Sequence, residues 1–561
     1  MPAAHGTDTK RLSEIESGLD TAFESELELG TIPKGLAREA LLDVAELLLT
    51  GQGREINEDS GAMSSYFNNL TKSGSSALRQ IERFAPETQL PFLDTWNAII
   101  RKCVSTCSFF AVVEDAFFTC WKGYSSARID GENVTFEPLG SEMDARLRFF
   151  RSDDDYDEAS GAQFDVKILT APDVMEGVAR SLMATQFKKM GGFEYVIELP
   201  IVLRFAEEYE RVFMGRLKDA LEINLGGFTS LDLLRAWCRL LSLSRLHWVV
   251  RLLTSKAPDR PQTSFVFPAL YRKKQFWLDA LSGLPEPEKL LRVLTFDPVD
   301  KGGDLCVTPL VQIQDDYFGM IPSSTLRSNV PRNLLILIAA RFSVPYSSFS
   351  LTREGLAVDE YRRRHSSLLI DSSVNLPKQK GKQLPDIDIL LANSSRTHLV
   401  VAELKWQLSA SSTREVASRN DYLKKGTAQL VAIRQFLSEN PNYLMNRGLI
   451  ASSTDNIKVS YLLLCKGHLG SETVMAPGIL MCDNGTFLKA LDQGVDAAIE
   501  VAGEFKYLPR EGKDFILRDV KVRFGGSVVA WKAMVPPSTT EDTETALIET
   551  FYMDGARFAV L

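Results

Sequence analysis

The sequence predicts a multidomain α+β protein. A large, mainly helical N-terminal region is followed by a smaller α/β segment, built as a central mixed sheet flanked by helices, and then by a β-rich extension. Three observations predict this. The chain has 561 residues, enough for three or four domains. Its apolar periodicity is helical through much of the first 345 residues and then changes. Residues 385–405, PDIDILLANSSRTHLVVAELK, read as two short strands at hairpin distance.

Residues 1–150 form the first region. LAREALLDVAELLL, SALRQIERF and the apolar stretch from Phe92 to Phe118 carry helical spacing. Asp130-Gly131, between ARI and NVTF, predicts a hairpin turn. Residues 151–345 form a mainly helical middle region, in which Leu233, Leu234, Trp237, Leu240, Leu241 and Trp248 make a core stripe. The segment at 254–264, TSKAPDRPQTS, reads as a linker or long loop. The acids at 153–158 alternate as calcium ligands do, but the sixth loop position is Glu158 and the twelfth Phe164, where glycine and glutamate are needed. An exposed acidic loop is expected there. Residues 346–490 form the α/β segment, and 491–561 are a β-rich extension, either an addition to its sheet or a small separate module.

Composition is that of an ordinary globular protein, 45% hydrophobic and 24% charged. No apolar run of about 20 residues is evident, the longest lying at 334–340, and the start lacks a secretory apolar stretch. A cytoplasmic protein with no membrane association is expected. The seven cysteines are odd in number and irregularly spaced, which argues against a disulfide framework, and no Cys-x-x-Cys pair suggests zinc. They read as buried small hydrophobes.

The chemistry concentrates in 385–405. Alternate strand residues share a face, so Asp386 and Asp388 point one way on the first strand, and Glu403 and Lys405 do so on the second. If the strands pair, three carboxylates and an ammonium converge. Mg²⁺ takes one or two carboxylates and completes its shell with water and phosphate oxygens. A nearby lysine orients water and offsets charge on a phosphoryl transition state. Glu-x-Lys or Asp-x-Lys alone carries little weight, since Asp165-Val166-Lys167, Glu504-Phe505-Lys506 and Asp519-Val520-Lys521 also occur. None of those follows a strand with in-phase acids.

Residues 350–485 resemble the PD-(D/E)XK nuclease superfamily, through Pro385-Asp386, a spacer, and Glu403-Leu404-Lys405 ending an apolar strand. The resemblance implies a restriction-endonuclease-like core: a helix at 354–366, strands at 367–374, 387–392 and 398–403, a helix at 420–437 and a strand at 458–465. It implies Mg²⁺, with Mn²⁺ as a substitute, held by Glu403, the Leu404 carbonyl and a strand acid. The literal motif picks Asp386 for that acid. The acid-Ile-Asp-apolar pattern of other members picks Asp388, favoured here, with Asp386 supporting. Lys405 matches the family lysine. Glu360, with Glu354 second, matches a helix glutamate common among relatives, although pairing with Arg363 or Arg364 is an equal reading. Gln429 matches a glutamine on the following helix, with Tyr422 a weaker companion.

Charge points to a polyanion at the same place. Residues 351–470 hold 17 Lys and Arg against 11 acids, a net of +6 in a chain of net −9. Arg362, Arg363, Arg364, Lys378, Lys380, Lys382, Lys424 and Lys425 are the expected phosphate contacts. The expectation is a metal-dependent nuclease, favouring DNA without excluding RNA, with restriction or anti-phage defence as an analogy. A nucleic-acid-binding or scaffolding protein that no longer cleaves is the alternative. The N-terminal helices suit a protein partner or a second copy of the chain.

Overall fold

The structure, a computed structural model, describes residues 8–51, 60–87, 96–140, 186–187, 192–194, 197–217, 220–255, 265–266, 268–300, 303–379, 381–408, 410, 412–451, 453–454, 457–466, 470, 472–504, 511–512, 516–524, 526–535 and 559–560. The acidic run at 153–158, residues 256–264 of the expected linker, and Lys380 lie outside them. The fold is α+β and multidomain.

Its principal elements begin with helices α1 (Thr9–Glu26), α2 (Lys34–Gly51), α3 (Ser60–Phe84) and α4 (Trp96–Trp121) and the hairpin β1 (Ser125–Asp130) and β2 (Asn133–Pro138). The Asp8 side chain accepts from the Arg11 N–H and caps α1. Leu12, Ile15, Leu19 and Phe23 then recur at helical spacing as its buried stripe. The hairpin loop is Gly131-Glu132, one residue later than expected, since Asp130 already pairs with Asn133. Gly131 takes the positive φ of 60° that such a two-residue loop demands.

Helix α4 corrects one expectation. Its Ala98–Trp121 portion is long and apolar enough to cross a membrane by length and composition, although 61% of its most apolar window is buried in the protein. Ser105, Thr106 and Ser108 interrupt its apolar run, which hid that length in the sequence.

The middle region contains α5 (Leu199–Arg216), α6 (Ser230–Ser255), β3 (Leu270–Lys273), β4 (Leu310–Gln314), β5 (Tyr317–Met320) and α7 (Val330–Arg341). Leu233, Leu234, Trp237, Leu240 and Leu241 are buried in its core. The small antiparallel sheet, in the order β3-β5-β4, tempers the expected helical character.

The α/β segment runs α8 (Ser343–Arg364), β6 (Leu369–Val374), β7 (Ile387–Ala392), β8 (His398–Trp406), α9 (Thr413–Glu439), β9 (Lys458–Lys466), β10 (Ile479–Asp483), α10 (Asn484–Ala490) and α11 (Val495–Glu504). The sheet order is β10-β9-β8-β7-β6. β6, β7 and β8 form an antiparallel meander, while β9 and β10 run parallel to β8. The turn before β8 is held by Asn393, whose side-chain oxygen accepts from the Thr397 and His398 N–H groups. α9 begins at a capping-box sequence, Ser412-Thr413-Arg414-Glu415, with the Ser412 hydroxyl accepting from the Glu415 N–H. One apolar cluster lies under α9, including Leu390, Val401 and Leu430. Another lies on the opposite face, with Val358 of α8, Leu404 and Phe487.

The C-terminal strands β11 (Ile516–Phe524) and β12 (Ser527–Val535) match neither alternative read from sequence. β12 pairs in parallel with β2, Val529 opposite Val134, so the end of the chain extends the N-terminal sheet. Val522, Phe524, Val529 and Trp531 are buried in the N-terminal core. Residues 491–504 belong instead with the α/β segment, where α11 packs beside its sheet.

Candidate metal centre and its cleft

Antiparallel pairing of β7 with β8 puts Ile389 opposite Ala402. One step outward on both strands, Asp388 and Glu403 come to the same face. The Asp388 carboxylate accepts from the Leu404 N–H at 2.7 Å. Lys405 Nζ is 2.5 Å from Glu403 Oε1. Glu403 is only 2% exposed, and its second oxygen, Oε2, is buried with no hydrogen-bond donor. A buried, unsatisfied carboxylate oxygen is costly. It is a position where a cation would be welcome.

Burial pushes the Glu403 carboxyl up to about 7, aided by the charge of Asp388 and opposed by Lys405. Burial also raises Asp388, against the Leu404 N–H and Lys405. For Lys405 burial favours the neutral amine, but Glu403 and Asp388 outweigh it, so its pKa is raised. Its ammonium therefore persists at neutral pH.

α8 and α9 close around this end of β8. Glu354 of α8 receives the Tyr422 hydroxyl at 3.5 Å, and the Lys405 ammonium lies 5.7 Å from the centre of the Tyr422 ring. Burial raises Glu354, with Lys405 opposing and Asp388 adding to the rise. Glu360, the expected helix glutamate, instead pairs with Arg364 at 3.6 Å. The two glutamates are six residues apart, which at 3.6 residues per turn sets them about a third of a turn from each other, so Glu360 is turned away from Tyr422 although both glutamates line the adjoining cleft.

Asp386 is exposed in the approach to β7, where its charge reaches Asp388. Gln429 is half-buried, and among the described residues it hydrogen-bonds to none of these groups. Gly426 was missed from sequence. A Cβ there would stand 2.8 Å from Leu463 Cδ1 and 3.1 Å from Lys405 Cε, so the absent side chain lets α9 lie on the lysine stem. A glycine inside an amphipathic helix was the available signal.

A cleft of about 430 Å³ opens beside the site, lined by Glu354, Glu360, Leu404 and Lys405 and bordered by Arg353, Arg363, Trp406 and Lys466. Of the expected phosphate contacts only Arg363 lines it. Arg362 is engaged with Asp359 and Ser372, Arg364 with Glu360 and Asp492, and Lys424 with Asp421. Lys378 and Lys425 are exposed, and the Lys382 side chain lies outside the described residues. Arg353 and Lys466 were not anticipated.

Among the described residues no group of three or more His, Cys, Asp and Glu side chains is gathered to hold a metal ion. The expected convergence of three carboxylates is therefore reduced to an adjacent pair, Asp388 and Glu403, with Asp386 outside it. Two carboxylates are still as many as Mg²⁺ commonly takes from protein. No protein-family model, curated protein or solved structure matches the chain.

Proposed function

We propose that residues 343–504 form a Mg²⁺-dependent nuclease of the PD-(D/E)XK type, acting on DNA, with RNA as the other polyanion of the same chemistry. The observation that carries this reading is Glu403: a buried carboxylate with one oxygen unsatisfied, beside Asp388 and next in the strand to Leu404 and Lys405, which line the cleft. The helix, three-strand meander, helix and parallel strand from α8 to β9 support a restriction-endonuclease-like core. A defence role remains an analogy of fold.

Asp388, Glu403 and the Leu404 carbonyl would hold the ion, which polarises a phosphoryl oxygen and acidifies a bound water. Lys405, protonated at neutral pH, serves as a positive charge beside the phosphoryl oxygens and as a donor that orients water. Its raised pKa makes it a poor general base. Glu354, half-buried at the cleft with an elevated pKa, is the better proton acceptor. Arg353, Arg363 and Lys466 supply phosphate contacts at the cleft. In hydrolysis the water oxygen bonds to phosphorus, the bond to the leaving sugar oxygen breaks, and that oxygen gains a proton.

Purified protein incubated with supercoiled plasmid or single-stranded DNA, with Mg²⁺, Mn²⁺ or EDTA, tests the reading. Metal-dependent cutting abolished by Asp388→Ala and by Lys405→Ala is the expected result. The pairing of Lys405 with Glu403 favours one second reading, a nucleic-acid-binding scaffold whose metal position is taken by the ammonium. Binding without cutting under every metal condition would select it.

A further inference from the structure

A second cavity, sharing no lining residue with the cleft, opens between α1 and α4 with a volume of about 240 Å³. Phe117, Phe118 and Trp121 of α4 give it aromatic walls, while Glu16 and Asp20 of α1 and Glu114 of α4 supply carboxylates. The Trp121 indole N–H donates to Glu16 at 2.8 Å and fixes both walls. Burial raises all three carboxyls, and Asp20 and Glu16 further raise Glu114.

The protein already places one organic cation of its own against this surface. Arg414, at the start of α9 and 299 residues beyond Asp115, lays its guanidinium 5.3 Å from the centre of the Phe118 ring. It reaches Glu114 at 3.5 Å and Asp115 at 3.2 Å. Arg414 is the one cation among the described lining residues, against three lining carboxylates. It is itself half exposed. Excess negative charge inside aromatic walls suits an amine or guanidinium better than a metal ion, which draws little from aromatic carbon and prefers a full oxygen shell.

We propose that this cavity binds a small organic cation, an amine or guanidinium group, in competition with Arg414. The inference does not depend on the nuclease reading, because its test is binding. Isothermal titration of the full chain with 1,4-diaminobutane, at constant ionic strength, should show one saturable site. A blocked lysine tripeptide in a parallel arm distinguishes a partner's side chain from a free amine. Glu16→Gln and Glu114→Gln should each weaken binding about tenfold, equivalent to about 1.4 kcal/mol. Arg414→Ala should tighten it severalfold by removing the competitor. Glu208→Gln, an acid on α5 paired with Arg211, should change nothing. Near-ultraviolet circular dichroism checks that each variant is folded. The proposal is overturned if neither probe saturates, if Glu208→Gln weakens binding as much as Glu114→Gln, or if Arg414→Ala brings no gain.

Discussion

Gly426→Ala is a one-carbon change that should slow the proposed nuclease without unfolding it. The new Cβ would lie 2.8 Å from Leu463 Cδ1 and 3.1 and 3.3 Å from Lys405 Cε and Cγ, where carbon atoms prefer about 3.5–4.0 Å. The lysine stem cannot simply swing aside, because its ammonium is tied to Glu403. Leu463 can turn its terminal methyl away, so relief on the lysine side means a shift of a few tenths of an ångström in its stem or in the helix. Overpacking costs about 1–3 kcal/mol, partly offset by about 1 kcal/mol from the better helix propensity of alanine. The net loss of stability should be about 0–2 kcal/mol, which leaves the protein folded. A misplacement of about 1 Å in a positioned group can cost on the order of a hundredfold in rate. With a displacement of a few tenths of that, single-turnover cleavage at saturating Mg²⁺ should fall severalfold, with the Mg²⁺ midpoint nearly unchanged because Asp388 and Glu403 are untouched. Ala428→Ser, at an exposed position on the same helix, serves as the control. A folded Gly426→Ala protein cleaving at the wild-type rate would refute the claim that the lysine's placement matters.

Glu354→Gln should depress cleavage far more than Glu360→Gln, because only Glu354 is coupled to Lys405 and Tyr422; rates for the two variants side by side decide it. Arg251→Met should cost about 1–3 kcal/mol in urea unfolding, because the fully buried Glu46 carboxylate loses the partner at 2.8 Å and keeps only the Ser323 N–H and hydroxyl as donors among the described residues. Burial raises Asp43 from 3.8 to about 7 against the donated Ala269 N–H. Between those values the native state binds more protons than the unfolded chain, so Asp43 makes stability fall as pH rises through that window, by at most about 4 kcal/mol. Asp43→Asn should flatten that fall in unfolding measured from pH 4 to pH 8 (about the span of that window), and parallel profiles for the two proteins would refute it.

Much of the candidate site was legible because it is local. In-phase acids on two short strands joined by a turn constrain one another, and β7 has the bounds read from sequence. β8 runs three residues further than expected, which keeps Lys405 within the strand. Sequence could not rank Glu354 against Glu360, because α8 begins at Ser343, well before the expected start, and which side of a helix meets a sheet depends on packing that local spacing does not encode. Arg353 and Lys466 reach the cleft from elements that are neighbours only in space. The partnership of β12 with β2 was invisible for the same reason. β2 alternates apolar and polar residues and β12 is mostly apolar, but nothing in either names a mate almost four hundred positions away.

That partnership governs the order in which the molecule can be made. During synthesis α1 to α4 and their hairpin emerge with one flank of β2 bare, and the strand that covers it follows almost four hundred residues later. The polypeptide between them, including the proposed catalytic unit, can fold in the meantime. An unfinished or clipped copy would thus pair a formed α/β segment with an open, adhesive sheet margin at its front. Such copies should be prone to self-association until β12 closes the N-terminal sheet.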